Sequence, residues 1–126
     1  MLTIRQEQLK AFAKAVERNL ECRLHTHAER LWPADCQRLG KQTVRQWIRQ
    51  AIRRAGGYGI DDEYDLSRFV DLMFMVGPSF DTDEASAWIG QALRDASIPP
   101  GERLDGICRR LGQRWSSRQG PAAAPQ

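Results

Sequence analysis

From Leu9 to Trp115, apolar side chains return every three or four positions, and no segment alternates with period two for long enough to form a strand. A three-to-four spacing stacks side chains on one face of a helix turn after turn. The chain is therefore expected to be all-α. Glycine and proline divide it at Trp32-Pro33, Gly40, Gly56-Gly57, Gly77-Pro78 and Pro99-Pro100-Gly101. Those breaks predict a single compact domain of five main helices plus one short helix, orthogonal or bundle-like, over residues 1–117. Residues 118–126 lack periodicity and read as a disordered C-terminal tail.

The first helix opens on a capping-box pattern, Thr3 with Gln6. Leu9, Phe12, Val16, Leu20, Leu24, His27 and Leu31 then form one expected core stripe, on a helix of about 40 Å. Pro33 to Leu39 suits a short helix closed by Gly40. A second capping box, Thr43 with Gln46, is expected to open a helix running to Gly56-Gly57. Asp61 and Asp62 sit where a cap belongs, ahead of the most apolar helix, about residues 62–76, which should be central. A loop from Ser79 to Asp83 precedes a short amphipathic helix with Trp88 and Leu93. The last helix carries Leu104, Ile107, Cys108, Leu111 and Trp115 on one stripe.

The longest apolar run, Phe69 to Val76, is broken by Asp71 and falls well short of the roughly 20 residues of a membrane span. No secretory signal opens the chain, so a cytoplasmic location is expected. Cys22, Cys36 and Cys108 are odd in number and far apart, which does not make a disulfide framework. They read as small, half-buried hydrophobes in a reducing compartment.

The net charge is only +3, but residues 1–55 hold twelve Lys/Arg against five Asp/Glu, while residues 56–100 hold two against nine. Either opposite faces steer a partner, or basic and acidic helices neutralise each other within the fold. Arg45, Arg49 and Arg53, four apart and joined by Arg54 and Lys41, make a basic helix face that suits an acidic protein or phosphates. Asp61 and Asp62 are a matching acidic candidate, although they would repel phosphate. Trp32, in a loop, and Trp115, near the tail, are the tryptophans expected to be exposed as protein-contact anchors.

No reacting constellation is legible. Gly56-Gly57-Tyr58-Gly59 lacks the Lys-Ser/Thr ending and preceding strand of a phosphate loop. Cys22 and His25 are three apart, but no zinc-module spacing or CxxC pair exists. The clusters 61–65 and 81–84 lack the ligand ladder of a calcium loop and read as helix caps. No base stands at a motif spacing from Ser79, Ser86 or a cysteine. No metal, no cofactor and no catalysis are therefore expected.

Four stretches carry a resemblance: Met1 to Leu9; Ala55-Gly56-Gly57-Tyr58-Gly59-Ile60 with the acidic residues after it; Leu72 to Asp81; and Pro99-Pro100-Gly101-Glu102-Arg103-Leu104-Asp105. Together they resemble small helical accessory proteins encoded in bacterial type VI secretion clusters, beside spike proteins, adaptor-chaperones and effectors. The similarity spans most of residues 1–115, and its motifs are structural. It implies a protein partner, an adaptor-chaperone or an effector, and a non-catalytic co-chaperone role in effector loading. An immunity protein that neutralises a toxin, or a nucleic-acid-binding regulator acting through the Arg face, are the alternative expectations.

Overall fold

The computed structural model describes residues 5–119, with side chains through residue 113. It is all-α, with no strand among the described residues. The helices are α1 (Gln6–Leu31), α2 (Pro33–Leu39), α3 (Lys41–Gly57), α4 (Glu63–Met75), α5 (Ala87–Leu93) and α6 (Pro100–Gln119). A single 3₁₀ turn, Glu84–Ser86, leads into α5. Among the described residues these are six helices, the number expected, although two of them, α2 and α5, are short at seven residues each.

The middle of the molecule is α4, which packs against α1, α3 and α6. Its Leu66, Phe69, Val70, Leu72 and Met73 are all buried. The α3 side of the core supplies Val44, Ile48, Ala51 and Ala55. The small α2 fills the corner between α1 and α3, while α5 pairs with α6 on the far side of α4. Arg103 ties that side down by donating to the main-chain carbonyls of Tyr58, at 2.7 Å, and Leu93, at 2.9 Å. Arg68 links α4 to α6 through the Gly101 carbonyl, at 3.0 Å, and the Asp105 carboxylate.

Several local expectations change. Thr3 lies outside the described residues; Arg5 is the cap of α1, its N–H donating to Gln8 Oε1 at 3.2 Å. Gly40, at φ 88, ends α2 and begins α3 in one residue, so α3 starts at Lys41 and Thr43 falls inside its first turn. Only glycine takes that backbone conformation at no steric cost. Asp62 does cap α4, accepting from the Asp65 N–H at 3.3 Å. The last helix runs on through Arg118 and Gln119, past the expected start of the tail. Residues 120–126 lie outside those described.

The largest correction concerns α1. Of its expected core stripe only Leu24 is buried, and Leu20 and His27 are half-buried. Leu9, Phe12, Val16 and Leu31 are 52%, 69%, 47% and 50% exposed. For Leu9, Phe12 and Val16 helix length is the reason, 26 residues extending about 39 Å whereas α4, with 13, extends about half as far; Leu31 is instead the last residue of α1, at its open C-terminal end. The neighbours cover the second half of α1, and the first half projects as an arm.

Candidate functional site

An open groove of about 820 Å³ runs between the end of α4, α5 and α6, with Trp32 at its edge. Its floor is the end of the apolar run of α4. Phe74 is half-buried, and Met75 and Val76 are 55% and 38% exposed. The opposite wall is Trp88 and Ile89 of α5 with Leu111 of α6. Arg110 lies over the Trp88 ring at 4.3 Å, giving that wall a charged rim.

Trp32, expected as an exposed anchor, is half-buried and built into this wall. Its ring stacks on Phe74 at 5.8 Å and 8°, and its Nε1–H donates to Asp71 Oδ1 at 3.0 Å. His27 Nε2 lies 2.9 Å from the same carboxylate oxygen. The polar edge of the indole is thus satisfied inside the fold, leaving an apolar rim for contact. The side chain of Trp115 lies outside the described residues.

Arg45, Arg49 and Arg53 are exposed on α3 as expected, but they do not act alike. Arg49 donates to Glu21 of α1 at 2.8 Å. Glu21 and Glu29 interleave with Arg18, Lys41 and Arg45 along the α1–α3 cleft. That surface is a mixed field, unlike the unbroken basic stripe that follows a phosphate backbone. Arg54, grouped with this face by spacing, turns inward. Asp61 and Asp62 are exposed at the start of α4, where Glu63 accepts from Arg23 of α1 at 2.9 Å. The basic face and the acidic start of α4 therefore flank α1 through different side chains and form no common site. Pairs such as Arg23–Glu63 and Arg54–Asp81 join the basic and acidic parts of the chain, so internal neutralisation accounts for part of the charge segregation.

A buried cluster went unread in the sequence. Asp81, expected to be a cap residue, is 4% exposed. Its carboxylate accepts from the Arg54 guanidinium and from the Tyr58 hydroxyl, the latter at 2.8 Å. The guanidinium lies 5.5 Å from the centre of the Phe69 ring and 5.8 Å from that of Phe80. Burial alone would raise the Asp81 pKa; the bonds from Arg54 and Tyr58 outweigh it and hold the carboxyl below its ordinary value. Burial and the Asp81 carboxylate together push the Tyr58 hydroxyl up. The cluster fixes the α4–α5 loop, and through it the α5 wall of the groove. Nothing local to the sequence marked Asp81: the N-cap position of the turn that follows falls on Asp83, and the partners of Asp81 lie 23 and 27 residues earlier.

Cys36 is buried, and burial reinforced by Glu29 and Asp35 raises its thiol pKa. Partial desolvation in the groove wall raises that of Cys108, although the residue keeps an exposed side. Neither has the lowered pKa of an activated nucleophile. Among the described residues, no three His, Cys, Asp or Glu side chains converge as metal ligands. None of the described helices is long and apolar enough to cross a membrane. Compared with known proteins, the chain matches no family model, no curated sequence and no solved structure.

Proposed function

We propose that this chain is a non-catalytic, protein-binding accessory factor that works in the cytoplasm beside an adaptor-chaperone or effector of type VI secretion. The observation that carries the binding role is the apolar groove between α4, α5 and α6, rimmed by Arg110 and floored by exposed Met75 and Val76. Rigid aromatic walls lose little conformational entropy when covered, which is why Trp-rich pockets anchor protein contacts. The occupant that fits is an amphipathic helix of a partner, its apolar face on Met75, Val76 and Trp88 and a carboxylate toward Arg110. The secretion setting rests on the sequence resemblance alone.

Co-expression with the products of the neighbouring genes should yield a stoichiometric complex on gel filtration. Met75→Glu and Val76→Glu place a charge on the groove floor at positions already open to water. They should weaken capture at least about tenfold, because a charge buried unpaired at an interface costs more than 1.4 kcal/mol. Thermal midpoints should move little, as exposed substitutions usually do. If no neighbour's product is retained, or the groove variants bind it as well as the native chain, the proposal fails. Rescue of cells expressing a cognate toxin would instead identify an immunity protein.

A further inference from the structure

We propose that the projecting first half of α1 pairs antiparallel with the same segment of a second copy of this chain. Every described residue from Arg5 to Lys14 is exposed, so this part of the helix has no cover among the described residues. It nonetheless carries a continuous apolar seam. Leu9, Ala13, Val16 and Leu20 follow one another at intervals of four, three and four, the repeat of a two-helix contact. Leu9 and Val16 are about half exposed, and Leu20 keeps an open edge beside the core.

The charges beside the seam select both the occupant and its direction. Lys10 and Glu17 each follow a seam residue and so line the same flank; Phe12 and Asn19 line the other. In an antiparallel pair, Leu9 faces Leu20 of the second copy and Ala13 faces its Val16. Like flanks then meet, so Lys10 of each copy lies against Glu17 of the other, twice by symmetry. In a parallel pair, Arg5 of each copy would meet Lys10 of the other, which is repulsive twice over. The base of the arm agrees with the antiparallel direction. The Arg23–Glu63 bond, at 2.9 Å, places the acidic start of α4 there, where the Arg5 end of the second copy would arrive.

Four seam layers make a contact below the roughly 1,200 Å² of standard interfaces, so a dissociation constant on the order of micromolar is expected. Sedimentation of the full chain over a wide concentration series should show a reversible monomer–dimer equilibrium. Leu9→Asp combined with Val16→Asp should leave a monomer with an unchanged melting temperature, because neither side chain belongs to the core. Lys10→Glu alone and Glu17→Lys alone should each weaken the dimer severalfold. Mixing those two single variants should restore it as a heterodimer, since each copy then offers the charge the other needs. A monomer at every concentration would overturn the proposal, as would a dimer indifferent to the Leu9 and Val16 changes. Failure of the mixed variants to recover would overturn the antiparallel register. Because Met75→Glu and Val76→Glu lie outside the arm, they should leave the dimer intact, which separates this test from that of the groove.

Discussion

Asp81→Ala should destabilise the protein by about 3–5 kcal/mol, the usual cost of removing one partner from a buried ion pair. The Asp81 side chain is 3% exposed and that of Arg54 23%. Without the carboxylate, the guanidinium is left against Phe69 and Phe80 with its charge unanswered, and the Tyr58 hydroxyl loses its acceptor. In a domain of this size, that loss corresponds to a drop of roughly 10–20 °C in melting temperature. The effect should depend on pH in a defined direction. A carboxyl whose folded pKa lies below its unfolded one adds stability above the unfolded value, about 3.9 for Asp, and loses it as pH falls through the folded value. Urea unfolding of the native chain and of Asp81→Asn should therefore differ clearly near neutral pH and converge in acid below the ordinary Asp range. A gap of under about 1 kcal/mol at neutral pH, no more than an exposed pair contributes, would show that the pair does not hold the loop.

Gly90→Ala should destabilise by about 2–3 kcal/mol, the scale of an overpacked core. Helix propensity alone predicts the reverse, a gain of up to about 1 kcal/mol from replacing a helical glycine. A Cβ on Gly90 would clash with the main-chain oxygen of Asp81, a contact that backbone must yield to relieve. The next neighbour, Arg94 Nη1 at 3.2 Å, can swing away; the Asp81 carbonyl cannot, because its loop is pinned on both sides. The Ser86 hydroxyl donates to the Phe80 carbonyl at 2.7 Å, and the Asp81 side chain is held by Arg54 and Tyr58. Chemical denaturation reads the sign directly, and a more stable Gly90→Ala would refute this close packing. Since both substitutions release the same loop, the Asp81→Ala/Gly90→Ala double variant should lose less than the sum of the two.

The groove depends on this loop. Phe80 and Asp81 lock it beneath α3, and α5 begins six residues after Asp81 with Trp88 and Ile89 facing the end of α4. Stability measurements on the clamp and binding measurements on Met75 and Val76 therefore probe opposite ends of one arrangement. Met75→Glu should lose the partner and keep the fold. Asp81→Ala should weaken both.

How much of this was legible depended on the range of the interaction involved. Pro33 and Gly40 delimit α2 as the sequence predicts, and the apolar helix expected near 62–76 is Glu63–Met75, capped by Asp62. These features arise from hydrogen bonds and steric limits within a few residues, which neighbouring side chains reveal. Arg53 and Arg54 show the opposite case. They are adjacent and chemically identical, yet one faces water and the other meets a carboxylate 27 residues further on. Trp32 does lie between two helices, but the exposure expected of it there is lost because Phe74 and Asp71 are brought beside it.

The chain's own residue order determined where helices begin and end and which face of each is apolar, because backbone hydrogen bonding and side-chain periodicity act over a turn or two. Only the tertiary structure decided which apolar faces are covered. Leu24 and Leu9 belong to the same periodic pattern, but α3 and α4 are long enough to bury the first and too short to reach the second. Burial is a property of what lies opposite a side chain in space. The same pattern therefore builds a core at one end of α1 and an open contact surface at the other.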